Sequence, residues 1–153
     1  MSELRTESRR GFTLIEILLV IGLIAILAAV VIVAINPARQ FAQARNTQRW
    51  SNVNTILNAV HQYAVDNTGT LPAAVTATGT EICATGAVSC TSLIDLSVLT
   101  ANEIYLVSLP LDPLCPTACN ANGIGYTIIK SANGRVTVAA PDAELGVTVS
   151  VTR

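Results

Sequence analysis

Residues 9–22 read RRGFTLIEILLVIG. Two arginines and a glycine open onto an apolar run that continues to Ile35, and one carboxylate, Glu16, stands in its first turns. The run Ile17–Ile35 holds no charged residue and a single glycine, Gly22. As a helix rising ~1.5 Å per residue it measures roughly 28 Å, against a hydrocarbon core of about 30 Å. The segment is therefore expected to span a bilayer. It is too long for the apolar core of a secretory signal, and no small-x-small cleavage site closes it.

Basic residues do not orient this span. Arg5, Arg9 and Arg10 precede it, with Glu3 and Glu7 among them, while Arg39, Arg45 and Arg49 follow it. The four cysteines do. Cys83, Cys90, Cys115 and Cys119 all lie in the second half, and an even number in a loop-rich region points to an oxidising compartment. That places the C-terminal side outside the cytoplasm and the first eleven residues within it. The totals agree with a chain only partly solvated by water: of 153 residues, 12% are charged and 4% aromatic. A net charge of −1 provides no long-range attraction to nucleic acid.

Working outward, the expected organisation is a leader over 1–11, a membrane helix over 12–35, an amphipathic continuation over 36–66 and a small head over 67–153. In the continuation, Trp50, Val53, Leu57, Val60 and Ala64 recur at helical spacing, widened by Ile56 and Tyr63. Asn52, Asn54, Asn58 and Gln62 are assigned to the opposite side. The helix should stop at Asn67-Thr68-Gly69, with Gly69 taking the left-handed conformation and Pro72 preventing resumption. Pro37 predicts a break near Asn36-Pro37, or two helices joined there.

Strand signals cluster at the end of the chain. Gly125–Ser131 and Arg135–Ala140 flank Ala132-Asn133-Gly134, and an Asn-Gly pair between alternating segments signals a hairpin in which both turn residues take positive φ. VTVSVT at 147–152 alternates valine with a hydroxyl residue. A three-stranded antiparallel meander should cover the helix stripe, giving an α+β fold. Residues 70–120 read as loops, with short helical pieces around Ser92–Leu99 and Ala101–Tyr105. There is no internal repeat.

The arrangement of basic residues, then Gly11-Phe12-Thr13-Leu14-Ile15-Glu16, then a membrane-length apolar helix closely resembles the class III signal of bacterial type IV pilins and pseudopilins. The resemblance rests on about the first 25 residues. Asn36-Pro37, Tyr63 with Asp66 before Pro72, and Leu109-Pro110-Leu111-Asp112-Pro113 resemble common pilin-type segments more weakly. It implies a pilin-like fold. It also implies cleavage between Gly11 and Phe12 by a prepilin peptidase that then methylates Phe12, lipid as the first surroundings, and delivery to a filament by an inner-membrane assembly platform. In a helix bundle Glu16 would need a cation, the Phe12 amine of its own chain or of a neighbouring subunit; in such families it would be the neighbour's, setting the register of a homopolymer. The plainer alternative is a glutamate that snorkels to the interface and complements the helix dipole.

Other chemistry is thin. The cysteine spacings C-x6-C and C-x3-C suit disulfides better than a four-thiolate zinc site, whose close ligand pairs have two to four intervening residues. Three pairings are open, and the local one, Cys83–Cys90 with Cys115–Cys119, is preferred because it ties down two loops. His61, the only histidine, is assigned a structural or surface role, and no serine or cysteine has a recognisable nucleophile context. Asp142 and Glu144 share a loop that could contribute to a calcium site, but two carboxylates are few for six to eight oxygen ligands. No metal or cofactor is expected, and no enzyme. Arg39, Arg45 and Arg49 could meet lipid headgroups, a neighbour's acidic residues or DNA. Beyond Gly11 the chain has six basic and eight acidic residues, so charge does not support nucleic acid. The expected function is the structural subunit of a type IV pilus, for adhesion, motility or DNA uptake. The alternatives are a pseudopilin of a type II secretion or competence system and, less favoured, a membrane-tethered binding head that does not assemble.

Overall fold

The computed structural model describes residues 11–153; the rest of the leader expected from the sequence, with Arg5, Arg9 and Arg10, lies outside the described residues. The chain divides into two compact units, Met1–Gln40 and Phe41–Arg153.

In the first unit the apolar run forms helix α1, Leu14–Ile35. None of its 22 residues is buried among the described residues, and at ~1.5 Å per residue they extend roughly 33 Å. That is long and apolar enough to cross a membrane. The helix ends at Asn36, whose backbone is left-handed at φ 49° and ψ 77°. Asn36 also starts the next helix, α2, Pro37–Asp66. Its Oδ1 accepts from Arg39 N at 3.3 Å, and Pro37 occupies the first helical position, where a missing N–H costs nothing. The proline therefore begins a helix instead of bending one, which is the two-helix form of the expected break.

In the second unit α2 lies on a sheet. Ala42, Asn46, Arg49, Val53, Ile56 and Val60 are buried at alternating steps of four and three, one stripe of an α-helix. From Val53 onward this is the stripe expected from the sequence. Before it, two assignments are corrected: Trp50 is 39% exposed, and Asn52 is buried at 6%. The helix closes with Gly69 N donating to Ala64 O at 2.7 Å, the Schellman pattern. Thr68 at φ 55° precedes Gly69 at φ 84°, so the left-handed residue at the cap is Thr68 as well as the glycine.

The sheet has four strands, one more than the sequence reading assigns: β1 Thr80–Cys83, β2 Gly123–Lys130, β3 Val136–Ala140 and β4 Val149–Thr152. They pair antiparallel in the order β1-β2-β3-β4. β1 is a four-residue piece inside the stretch read as loop, too short to display a period. Its outer side is met by Ile94, through Cys83 N to Ile94 O at 2.8 Å and Ile94 N to Glu81 O at 2.9 Å. Ile124, Tyr126 and Ile128 of β2, Val136, Val138 and Ala140 of β3, and Val149 of β4 point inward onto Val53, Ile56, Leu57 and Val60. Short helical segments occupy Ser97–Thr100 (α3) and Ala101–Glu103.

The β2–β3 turn departs from the expected geometry. Only Gly134 has positive φ, at 80°, and Asn133 does not. Gly134 N donates to Ser131 O at 3.0 Å and Ser131 N to Arg135 O at 2.8 Å. This is a type I turn followed by a left-handed glycine, the three-residue hairpin loop in place of the two-residue one.

Candidate functional site

At the N-terminal end, Gly11 and Phe12 are exposed and lie before the helix begins. Thr13 is the cap: its backbone is extended, and its Oγ1 accepts from Glu16 N at 3.3 Å. Glu16 is thus the third helical residue, so Thr13-Leu14-Ile15-Glu16 is a capping-box pattern at the start of an apolar run. The carboxylate is exposed and lies in the first turn, where the helix dipole favours an anion. Both polar residues of the stretch therefore have a local role at the helix start. The Thr-x-x-Glu capping pattern is legible in the sequence alone.

A second polar cluster lies in the head. Arg49 and Asp112 have fully buried side chains. Arg49 Nε donates to Asp112 Oδ2 at 2.6 Å and Nη2 to Oδ1 at 2.9 Å, the two-pronged geometry that suits guanidinium to carboxylate. Arg49 Nη1 donates to Asn46 Oδ1 at 3.0 Å and to Glu144 Oε2 at 2.9 Å. Glu144 also takes Arg45, Nε to Oε2 at 2.7 Å and Nη2 to Oε1 at 2.5 Å. Asn46 completes the set by bonding both sides of the Glu144 peptide. Its Nδ2 donates to Glu144 O at 2.8 Å, and its Oδ1 accepts from Glu144 N at 3.0 Å.

Two guanidinium groups thus meet two carboxylates, and two loops are tied to α2. The hydrogen bonds from Arg45 and then Arg49 pull the Glu144 carboxyl down to about 2. The hydrogen bonds that Arg49 donates to Asp112 and Glu144 outweigh desolvation and hold its guanidinium above its ordinary value. Deeper in, Asn52 Nδ2 donates to Tyr126 Oη at 2.8 Å and to Leu111 O at 3.1 Å. Burial pushes the Tyr126 hydroxyl up to about 12.

This arrangement corrects one expectation. Arg45 and Arg49 are engaged by carboxylates of their own chain, which leaves Arg39 alone of the three to face lipid or a partner. Glu144 has both oxygens on guanidinium groups, so it is not poised to bind calcium beside the exposed Asp142. Among the described residues no group of three or more His, Cys, Asp or Glu side chains could hold a metal ion. The cluster was missed because the stripe was sought among apolar residues. Continuing its rhythm backward from Val53 reaches Arg49, Asn46 and Ala42, and a buried arginine demands a carboxylate.

Cys83 is joined to Cys90 and Cys115 to Cys119, with Cα–Cα separations of 5.5 and 5.3 Å. Near the second bridge Glu81 fastens the loop before β2. Its carboxylate accepts from Gly125 N at 2.7 Å and from the Asn120 backbone and side chain. Gly125, at φ 80°, passes so close to Asp112 that an added Cβ would lie 2.7 Å from Asp112 Cβ. His61 is partly buried on α2, and its sealed Nε2 makes no hydrogen bond among the described residues.

A model of the prokaryotic N-terminal methylation motif matches residues 8–32. No curated protein and no solved structure matches the chain. The matched segment contains Gly11, Phe12, the Thr13 cap, Glu16 and most of α1. This motif marks a prepilin of the type IV pilin and pseudopilin kind, a structural class and not an enzymatic one. It implies processing by a prepilin peptidase, and with α1 it implies membrane anchoring before assembly.

Proposed function

We propose that this chain is the structural subunit of a type IV pilus, with its leader on the cytoplasmic side of the inner membrane and its head outside. The prepilin peptidase cuts between Gly11 and Phe12 and methylates the new amine, and an assembly platform then moves α1 from lipid into a filament of identical helices. The observation that carries this reading is α1 itself: 22 apolar-rich residues behind a prepilin motif, none of them buried among the described residues. In the inner membrane lipid covers them, and in a filament other copies do. Gly22, Ala25, Ala28 and Ala29 allow close approach between helices there.

Cleavage leaves the Phe12 amine one residue ahead of the Thr13 cap and four before Glu16. Methylation of an amine keeps its positive charge. When α1 leaves lipid for a helical bundle, the Glu16 carboxylate loses access to the interface and requires a cation, and a neighbour's Phe12 amine supplies one. A stagger that separates them buries an unpaired charge, an error of about 3–5 kcal/mol. Association that repeats head-to-tail without closing produces a fibre.

The test is expression of the full chain with and without a prepilin peptidase. Mass spectrometry should find a methylated Phe12 terminus only with the enzyme, and electron microscopy should find filaments in material sheared from cells. Filaments on the cell surface separate a pilus from a short periplasmic pseudopilus. A chain that keeps Met1 and stays in the membrane would defeat both.

A further inference from the structure

Charge is segregated along the head. From Trp50 to Ile129 there is no lysine or arginine, while Asp66, Glu81, Asp95, Glu103 and Asp112 are all acidic. Lys130 and Arg135 then follow on the two arms of the β2–β3 hairpin, both exposed. Glu81 and Asp112 are engaged within the head. Asp66, Asp95 and Glu103 remain exposed.

The Glu103 turn and Lys130 sit on opposite flanks of α2. On one flank, Tyr105 packs edge-on against Tyr63, with ring centroids 5.7 Å apart, and holds the Asn102-Glu103-Ile104 turn beside the helix end. On the other, His61 and Ala64 line an open groove of about 430 Å³ with Leu71, Pro72, Lys130 and Gly134. His61 and Tyr63 are two residues apart, about 200° around the helix at ~100° per residue. A single head cannot bring its own turn to its own groove.

The turn that carries Glu103 also has an unusual backbone. Asn102 and Glu103 both take positive φ, 53° and 57°. For a glutamate that backbone is uncommon and stores strain. It projects an acidic side chain next to Ile104, which is 61% exposed. The groove offers apolar walls from Ala64, Leu71 and Pro72, with Lys130 among its lining residues.

We infer that the groove between α2 and the β2–β3 hairpin receives the Glu103–Ile104 turn of a second copy of this chain, with Glu103 facing Lys130. The inference rests on the filament reading and adds to it the surface through which neighbouring heads meet. Because donor and acceptor surfaces differ and lie on opposite flanks, the contact is heterologous and propagates instead of closing. The electrostatic part sets register and rejects wrong partners.

The experiment uses filaments of the processed, full chain. A zero-length carbodiimide reagent should join the Glu103 carboxylate to the Lys130 amine between copies, seen as one branched peptide by mass spectrometry. Detergent-dispersed single copies should not yield it. Glu103→Lys and Lys130→Glu should each lower sheared filament roughly tenfold or more through like-charge opposition, and the double reversal should recover most of it. Both positions are exposed, so each variant should still accumulate as processed protein. Normal filaments from either single reversal, no recovery in the double variant, or filaments without the Glu103–Lys130 bridge would overturn the contact and leave the filament reading intact. Absence of any wild-type filament would remove both.

Discussion

Arg49 and Asp112, 63 residues apart in the chain, are joined by two parallel hydrogen bonds of 2.6 and 2.9 Å with both side chains sealed from solvent. The pair ties the residues before the Cys115–Cys119 bridge to α2. A buried pair is weak evidence for net stability, but removing one partner strands the other. Arg49→Met should therefore destabilise the protein by about 3–5 kcal/mol, since Asp112 loses both of its charged donors. Thermal unfolding of the detergent-solubilised processed chain measures this. Arg49→Met combined with Asp112→Leu should recover part of the loss. A single variant as stable as wild type would mean that water replaces the guanidinium.

Glu144 gives the pH dependence. Its folded carboxyl titrates at about 2, below the ordinary 4.5, because Arg45 and Arg49 hold it ionised. A depressed folded value contributes stability that is present above about 4.5 and is lost as pH falls toward 2. Unfolding midpoints measured from pH 6 down to pH 2 should decline through that window. Glu144→Gln should be less stable at pH 6 and should flatten the decline. Parallel curves for the two proteins would assign the acid sensitivity to other groups.

Gly125→Ala tests the close approach beneath the cluster. The position combines φ 80° with an added Cβ 2.7 Å from Asp112 Cβ and 3.0 Å from Ala118 O. Strain in a left-handed non-glycine residue is on the order of 1–3 kcal/mol, and the contact with Asp112 adds to it. The variant should unfold at lower denaturant concentration, and Asp112 should be displaced. Gly134→Ala meets nothing within 4 Å, so it should incur only the backbone part. Equal losses at the two glycines would show that crowding at Asp112 contributes little.

How much of this was legible depends on which residues carry the signal. α1 was plain, because 19 uncharged residues allow few alternatives. The lower half of the α2 stripe was plain too, since Val53, Leu57, Val60 and Ala64 are apolar at helical spacing. The upper half was hidden, because Asn46 and Arg49 look like surface residues until Asp112 and Glu144 arrive from 63 and 95 residues away. β1 escaped for a related reason: four residues, Thr80–Cys83, gain strand character from pairing with β2 and not from their own pattern. The hairpin was found by its Asn-Gly pair. Its turn type was misjudged, because one left-handed glycine suffices when the loop has three residues.

The final prediction separates processing from assembly. Gly11→Ala should leave full-length protein in the membrane, since the proposed cleavage falls directly after that residue. Normal maturation of this variant would move the cut elsewhere. Glu16 is the more informative position, because two roles compete for it. As the third residue of a helix capped by Thr13, its carboxylate complements the dipole, which is worth about 0.3–1 kcal/mol. As the partner of a neighbour's amine it guards against a far larger error. Glu16→Gln keeps the size and hydrogen-bonding capacity but removes the charge. If the dipole role is all there is, that variant should be cleaved, methylated and assembled almost as well as wild type. If the ammonium pairing sets the register, cleavage should proceed, α1 should remain in the membrane, and sheared filaments should be scarce or irregular. The discriminating measurement is the ratio of filament to processed membrane-bound subunit, compared between Glu16→Gln and Thr13→Val. Thr13→Val removes the cap and leaves the charge, so it should spare assembly while Glu16→Gln does not.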